Sequence, residues 1–290
     1  MERYYQIAGV EIAVQIPHQL AYQEDHKLET FRVSQVADPH RFVFQRVEKL
    51  TPPQGTCTVA LPDRLIYAGS DAQICYIGGE LSQWDRAALR VLHRGKVHIV
   101  QCSQRVFTGG ISGKTVLDVM QAEHLLVRNN AFLLHASCIE WKGKAILFTA
   151  PSGTGKSTQA ALWQQLRGAR IVNGDRIAVR WDGSQFYAQG VPFSGSSGIC
   201  ENVTLPLAAV VCLAQAPQTQ IQSLRGVASF RKIWEGISLN VWDTADVQAA
   251  SESVQRLVQT LPVYALSCTP DESAIVALEN MLESRCAHAE

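Results

Sequence analysis

Hydrophobic and polar residues alternate along much of the first 110 residues of the chain. Short apolar runs with a period of two are separated by Gly, Pro, Asp and Asn, which is typical of strands joined by turns. The pattern predicts a β-rich N-terminal domain over residues 1–110. Its strand candidates are GVEIAVQI, FRVSQV, HRFVFQRVE, TCTVAL, RLIYAG, AQICYIG, AALRVLH and KVHIVQC.

The pattern changes near residue 112, where helical and strand periods begin to mix. Apolar residues at helical spacing in KTVLDVMQAEHLLVRN predict a helix capped by Ser112. The runs FLLHASCIEW and AILFTA, separated by Lys-Gly-Lys, predict a hairpin, and the C-terminal PVYALSCTPDESAIVALENML predicts a strand and then a helix capped near Asp271. We therefore expect an α+β fold, with a second domain over residues 111–290 built on a mixed sheet with flanking helices.

Composition narrows the class of protein. The 290 residues include 26 basic and 26 acidic side chains, and 47% are hydrophobic, which excludes disorder for most of the chain. Without clustered basic charge we expect no nucleic-acid binding. No apolar run is long enough to span a bilayer and the start lacks a signal-peptide pattern, so we expect no membrane partner and a cytoplasmic location. The eight cysteines form no C-x-x-C pair, and we interpret them as structural.

A glycine-rich loop between a strand pattern and a helix pattern carries the strongest chemical signal. APSGTGKS, residues 150–157, matches G-x-x-x-x-G-K-[ST] except that Ala150 replaces the first glycine. Backbone N–H groups of such a loop converge on an anion, and the helix that follows points its positive end there. We expect Lys156 to contact the outer phosphates of ATP and Ser157 to ligate Mg²⁺. The residues expected to bind the nucleotide are Ser152, Gly153, Thr154, Gly155, Lys156, Ser157 and Thr158.

A second segment, TGGISGKT at residues 108–115, has a similar pattern. The segment before it, QCSQRVF, is more polar than AILFTA, and the next acidic residue, Asp118, falls inside the predicted helix. We interpret this segment as a glycine turn with a helix cap, and a phosphate contact remains the alternative.

Phosphoryl transfer also needs a carboxylate on the metal and a group that orients or deprotonates the acceptor. Asp175 ends a short apolar run 19 residues after Lys156, and we favour a functional role over that of a turn residue. His135 lies on the apolar run before the loop, where a buried core histidine is the alternative. Arg176 could neutralise phosphate charge or pair with surface acids. The Gly- and Ser-rich segment 190–202 could be a substrate clamp or a plain surface connection.

Together, LLHASCIEWKGKAILFTAPSGTGKSTQAA, GARIVNGD and SGSSGICENV resemble the catalytic core of HPr kinase/phosphorylase. They also resemble the serine kinases of peptide-tailoring clusters, which share this core with phosphoenolpyruvate carboxykinase. The resemblance covers about residues 130–205, with His135, Lys156, Ser157, Asp175 and Gly198-Ile199 at matching positions. It makes His135 a functional candidate and the 190–202 segment a substrate-binding element. Two positions depart from the family: Thr158 replaces a Glu, and Gly174 replaces one member of an acidic pair.

We therefore expect a kinase that uses ATP and Mg²⁺ to phosphorylate a hydroxyl, with a serine of a protein or peptide as the favoured acceptor. Asp175, His135 and Lys156 are the predicted catalytic residues, and Ser157, Asp175 and Glu201 are the predicted metal ligands. A small-molecule acceptor and a non-catalytic ATP-binding regulatory module remain alternatives. A homo-oligomer is also possible, because HPr kinase forms hexamers.

Overall fold

The computed structural model describes residues 1–68, 73–195 and 197–286; of residues 285 and 286 it describes the backbone alone. The chain separates into two compact units, Met1–Leu125 and Leu126–Glu290. The assignment of residues 1–110 and 111–290 as domains stays a prediction.

The first unit is built on one large sheet. Its elements are β1 (Glu2–Ile7), β2 (Val10–Gln15), β3 (Tyr22–Gln23), α1 (His26–Glu29), β4 (Arg32–Val33), β5 (His40–Arg46), β6 (Cys57–Leu61), β7 (Arg64–Ala68), β8 (Gln73–Ile77), a 3₁₀ turn (Trp84–Arg86), β9 (Leu89–Arg94), β10 (Val97–Cys102), α2 (Gln104–Gly109), β11 (Ile111–Ser112), α3 (Gly113–Met120) and α4 (Ala122–Val127). The described residues form a nine-stranded sheet in the order β4-β1-β2-β5-β10-β9-β8-β7-β6, and β11 pairs with β3.

Every predicted strand of this half contains an observed strand, because the alternation that predicted them places one side chain in two in the core. In β10, for example, His98, Val100 and Cys102 are buried between more exposed neighbours. β1 was not predicted, although it alternates in the same way and pairs with β2 along its whole length.

The predicted helix after Ser112 is two helices. Gln121 has a left-handed backbone (φ 49°), which ends α3 before α4 begins. The glycine turn was interpreted correctly as a helix cap, because Ser112 is the N-cap residue of α3 and its backbone N–H donates to Thr115 Oγ1. Lys114 forms an ion pair with Asp118 and its side chain is 76% exposed.

The second unit contains the remaining elements. They are β12 (Ala131–Trp141), β13 (Lys144–Thr149), α5 (Lys156–Arg167), β14 (Arg170–Asn173), β15 (Arg176–Trp181), β16 (Phe186–Gln189), β17 (Thr204–Gln215), β18 (Gln220–Leu224), α6 (Val227–Trp234), β19 (Ile237–Ser238), α7 (Thr244–Thr260), β20 (Val263–Cys268) and α8 (Glu272–Cys286). The hairpin of β12 and β13, the helix after the loop, and the closing strand and helix are as predicted.

The strands of this unit form a mixed sheet. Their order is β13-β12-β15-β16-β17-β20-β18, and β13 also pairs with β17, in parallel, so that five strands close into a circuit. One apolar cluster includes Phe148, Trp163 and Ile275, which come from β13, α5 and α8. A second includes Leu134, Ile233 and Val254, which come from β12, α6 and α7. The two clusters hold the sheet, and therefore the loop that follows β13, in a fixed position.

The chain is thus a mixed α+β protein, as expected. Seven cysteines have described side chains; no two of them form a disulfide, and five of them are buried. Burial raises the pKa of thiols such as those of Cys102 and Cys212 to about 12, so they are inert apolar residues. No helix in the described ranges has the length and apolarity needed to cross a membrane.

Candidate active site

The glycine-rich loop joins the end of β13 to the start of α5. Gly153 (φ 78°) and Gly155 (φ 114°) have backbone conformations that side-chain-bearing residues rarely adopt, and Gly155 is the N-cap residue of α5. The loop therefore needs glycine at both inner positions of the motif. Because it ends at the N-terminus of a 12-residue helix, its free N–H groups and the positive end of the helix dipole coincide.

Lys156 is the first residue of α5, and only 7% of it is exposed. Its Nζ donates hydrogen bonds to the carbonyl oxygens of Ala150 (2.9 Å) and Pro151 (3.3 Å). Burial lowers the pKa of Lys156, and the nearby carboxylate of Asp175 opposes that shift. The ammonium is therefore held inside the loop, with backbone carbonyls as its hydrogen-bond acceptors.

His135 and Asp175 meet at the same side of the loop, although 40 residues separate them in the chain. His135 Nδ1 lies 3.0 Å from the backbone oxygen of Asp175 and 3.4 Å from its Oδ1. Since a carbonyl oxygen can only accept, the hydrogen bond places the proton of the neutral ring on Nδ1 and leaves the lone pair on Nε2. Burial and the positive charge of Lys156 lower the pKa of His135, which favours this neutral form.

Asn173 fixes the backbone around Asp175. Its Oδ1 accepts hydrogen bonds from the N–H groups of Asp175 (2.9 Å) and Arg176 (3.0 Å), which is an Asx turn. The sequence offered a turn residue as the alternative to a functional role for Asp175. The turn exists, but the side chain that forms its hydrogen bonds is that of Asn173. Arg176 Nε lies 3.5 Å from Asp175 Oδ2.

The 190–202 segment packs against the same turn. Asn173 Nδ2 donates to the carbonyls of Val191 and Phe193, which anchors the beginning of the segment. A Cβ at Gly174 would lie 2.3 Å from Ser197 Oγ, so the side chain of Ser197 fills the space beside this glycine. Sequence reasoning found the segment by composition but could not find Ser197, because no spacing rule connects it to Gly174. Ser196, inside the predicted clamp, lies outside the described residues.

One polar cavity of about 290 Å³, here called the loop cavity, collects most of the predicted residues. It is lined by His135, Ser152, Gly153, Gly155, Lys156, Ser157, Thr158, Gly174, Asp175, Gly195 and Ser197. Thr154, the remaining loop residue predicted to bind nucleotide, lines a second cavity of about 590 Å³ next to the same loop, here called the rear cavity.

Glu201 is not among the residues that line the loop cavity. Its carboxylate forms an ion pair with Arg170, which also pairs with Glu140 at 3.3 Å. Its backbone N–H donates to Val172, so the residue closes the end of the 190–202 segment onto β14. The structure therefore brings Ser157 and Asp175 together at the cavity and leaves Glu201 engaged elsewhere.

A smaller cavity of about 180 Å³, here called the side cavity, opens on the other side of His135. It is lined by His135, Thr149, Ala150, Pro151, Cys212, Leu213, Lys232, Glu235 and Gly236. Thr149 Oγ1 donates to the backbone oxygen of His135 (2.9 Å), and His135 N–H donates to that of Gly236 (2.7 Å). His135 thus lines two cavities and is held by hydrogen bonds to its backbone as well as its ring.

Comparisons with known proteins place the second half of this chain. The chain is similar to the HPr(Ser) kinase/phosphatase from Coxiella burnetii at 12% identity and a TM-score of 0.31, covering 54% of this chain and 92% of that one. A TM-score this low does not establish a common fold. No curated protein sequence matches the chain. Residues 113–282, more than half of the chain, match the family described as SynChlorMet cassette protein ScmC. The chain belongs to the ScmC family.

Proposed function

We propose that this protein is a kinase that uses ATP and Mg²⁺ to phosphorylate a hydroxyl group, with a serine of a protein or peptide as the favoured acceptor. The observation that carries the proposal is that Lys156, Ser157, Asp175 and His135 line one polar cavity at the N-terminus of a helix. Lys156 supplies a cation that can bind phosphate, Ser157 and Asp175 supply two oxygen ligands for a metal ion, and His135 supplies a base. Phosphoryl transfer requires these groups.

The loop would hold the β- and γ-phosphates. Lys156 Nζ already lies among loop atoms and donates to two backbone carbonyls, which are neutral acceptors. A phosphate oxygen is a stronger, charged acceptor, so the ammonium would exchange these carbonyls for the nucleotide. Binding of the anion would also offset the burial that lowers the pKa of this lysine.

Ser157 and Asp175 fit a magnesium ion by their chemistry, since Mg²⁺ takes hard oxygen ligands and usually one or two carboxylates in addition to phosphates. Bound there, Mg²⁺ would neutralise charge on the transferring phosphoryl group. Glu201 supplies no second carboxylate in this arrangement, because it is paired with Arg170.

His135 would act as the base. The acceptor oxygen attacks the γ-phosphorus, its proton passes to His135 Nε2, and the bond from the γ-phosphorus to the β,γ-bridging oxygen breaks to release ADP. The hydrogen bond from Nδ1 to Asp175 keeps the ring in the tautomer that can accept this proton. Because His135 also lines the side cavity, we propose that the acceptor hydroxyl approaches from there.

The test is phosphate transfer from [γ-³²P]ATP by the wild-type chain and by Asp175→Asn, offered serine-containing peptides and small hydroxyl compounds. We expect turnover in the wild type and a loss of at least about 10²-fold in Asp175→Asn, with ATP binding retained, because the carboxylate contributes mainly to the metal in the transition state. ATP binding without turnover on any acceptor, or equal turnover in both proteins, would contradict the kinase proposal.

One observation favours a second candidate, a nucleotide-binding regulatory module without catalysis. The position of the second family carboxylate is Gly174, and Ser197 fills the space that a side chain there would need. Such a module would bind ATP without turnover, so the wild type and Asp175→Asn would both show no phosphate transfer.

A further inference from the structure

The rear cavity is larger and less polar than the loop cavity. The loop and the first turns of α5 form one wall, and the ends of β17 and β20 with their following turns form the other. Its apolar lining comes from Leu213, Ala214, Ala216, Pro217 and Pro270. Gly153, Gly155 and Thr158 line both cavities, so a molecule held at the loop could extend directly from one cavity into the other.

The buried side-chain amide of Gln159 lines this cavity. Gln159, on the first turns of α5, is 3% exposed, and its Nε2 donates to Cys268 Sγ at 3.3 Å. Its Oε1 is buried and has no hydrogen-bond partner within the part of the chain that the structure describes. An unpaired buried acceptor lowers the stability of the folded state. Its presence in a residue that lines a cavity therefore needs an explanation.

We propose that the rear cavity holds the nucleoside of the donor nucleotide and that Gln159 Oε1 accepts a hydrogen bond from it. The proposal rests on the function proposed above and makes Gln159 a specificity-determining residue. The cavity volume of about 590 Å³ lies within the range of sites that enclose small organic ligands between apolar walls and a few polar groups. A nucleoside supplies such a ligand: a flat apolar base, and N–H or O–H donors for Gln159.

Two groups of a nucleoside could donate to this oxygen, the exocyclic amine of adenine and a ribose hydroxyl. Inosine triphosphate lacks the first and 2′-deoxyATP lacks one of the second. If either ligand binds the wild type about tenfold more weakly than ATP and is insensitive to substitution of Gln159, its missing group is the donor.

The decisive measurement compares the affinities of ATP and tripolyphosphate, each with Mg²⁺, for the full chain. We expect the wild type to bind ATP at least about tenfold more tightly than tripolyphosphate. Gln159→Met removes the amide at similar side-chain length and should weaken ATP binding about five- to tenfold, as loss of one buried hydrogen bond does, with tripolyphosphate affinity unchanged. Gln165→Met, the same substitution at an exposed position of α5, should change neither affinity.

A second variant keeps the test independent of how Gln159→Met folds. Ala216 is half-buried at the cavity wall, so Ala216→Trp should fill the cavity and weaken ATP but not tripolyphosphate. Equal wild-type affinities for ATP and tripolyphosphate, or variants that change both affinities alike or neither, would overturn the nucleoside assignment while leaving the phosphate loop intact. If the wild type binds neither ligand, the proposed function fails as well.

Discussion

The chemistry of the site depends on which ring nitrogen of His135 carries the proton. The contact from Nδ1 to the backbone oxygen of Asp175 decides this, since a carbonyl cannot donate. Burial and Lys156 keep the ring neutral by lowering its pKa. A histidine that spacing alone would have left in the core thus lines a cavity, and in the proposed mechanism it acts there as the base.

For His135→Asn we expect kcat to fall about 10²- to 10⁴-fold, the usual contribution of a positioned base. In the proposed mechanism the neutral ring is the active form, so we expect the wild type to lose activity as the pH falls through the pKa of His135, which lies below its ordinary value of 6.5. The variant should lack this acidic limb. The pH dependence of kcat checks this, and an unchanged limb in His135→Asn would assign the proton transfer to another group.

Gly174 shows a constraint that the sequence does not reveal. Ser197 occupies the space that a side chain at Gly174 would need. Gly174→Ala therefore forces Ser197, and with it the 190–202 segment, to move. We expect Gly174→Ala to lower the free energy of unfolding by about 1–3 kcal/mol, as overpacking does. Adding Ser197→Gly should recover much of that loss, which a double-mutant cycle by chemical denaturation measures. Gly79→Ala, where a Cβ meets nothing within 4 Å, is the control. Additive effects would contradict the contact.

The residues of the candidate site could be predicted from the sequence to different degrees. The loop residues follow from a motif whose glycines have one physical purpose, and Asp175 follows from its distance to that motif. Ser197 and Gln159 were not found, since the first acts through a contact with a glycine and the second resembles any polar residue on a helix. Their roles depend on which strands lie next to one another, and that information is tertiary.

Among the elements, the β9 and β10 strands of the first unit carry an arrangement that no motif predicts. His93 and His98 face each other across these strands, and His40 on β5 lies on the same face. Their ring nitrogens form a chain: His40 Nδ1 to His98 Nε2 at 3.1 Å, His98 Nδ1 to His93 Nδ1 at 2.9 Å. Gln121 Nε2, at the break between α3 and α4, lies 3.3 Å from His93 Nε2.

Only one placement of protons satisfies this chain of neutral rings. Gln121 donates to His93, His93 to His98 and His98 to His40, so each of the two inner rings, His93 and His98, uses one donor and one acceptor. Adding a proton to any inner ring gives it a second donor with no acceptor opposite. Burial, together with the neighbouring imidazoles, lowers the pKa of His93 and of His98 to about 3. The charge of His124 lowers the pKa of all three rings. For His40, the charge of Lys96 lowers the pKa and that of Asp38 raises it.

The first unit should therefore lose stability in acid. A histidine whose folded pKa is depressed from 6.5 to about 3 contributes a loss that begins as the pH falls below 6.5 and continues towards 3. For His98, 3% exposed, the loss reaches about 2 kcal/mol near pH 5. His98→Gln should be less stable at neutral pH and flatter in its pH dependence by denaturant titration. Exposed His18→Gln should match the wild type, and an unchanged slope in His98→Gln would contradict the chain.

Elements with a regular period were predictable, and interruptions were not. The strands of the first unit and the hairpin before the loop follow from alternation, which needs no knowledge of partners. The break at Gln121 was missed because its helical spacing continues on both sides and the left-handed residue is not a glycine. β1 was missed although its alternation was available in the sequence.

For the whole chain, the sequence indicated the α+β class and a change of pattern near residue 112, because the period of the apolar residues changes there. The contact boundary after Leu125 and the closed circuit of strands in the second unit depend on pairing between distant segments. The family match covers residues 113–282 and therefore includes both Gly-Lys-Thr/Ser motifs of the chain.

The central claim is that the loop before α5 binds a nucleoside triphosphate. The two motifs, at residues 108–115 and 150–157, allow its most direct test. Calorimetric titration of MgATP would compare the wild type, Lys156→Ala and Lys114→Ala, which removes the lysine of the capped helix α3. We predict binding by the wild type and by Lys114→Ala and its loss in Lys156→Ala. Binding that survives Lys156→Ala, or that disappears with Lys114→Ala, would contradict this account of the site.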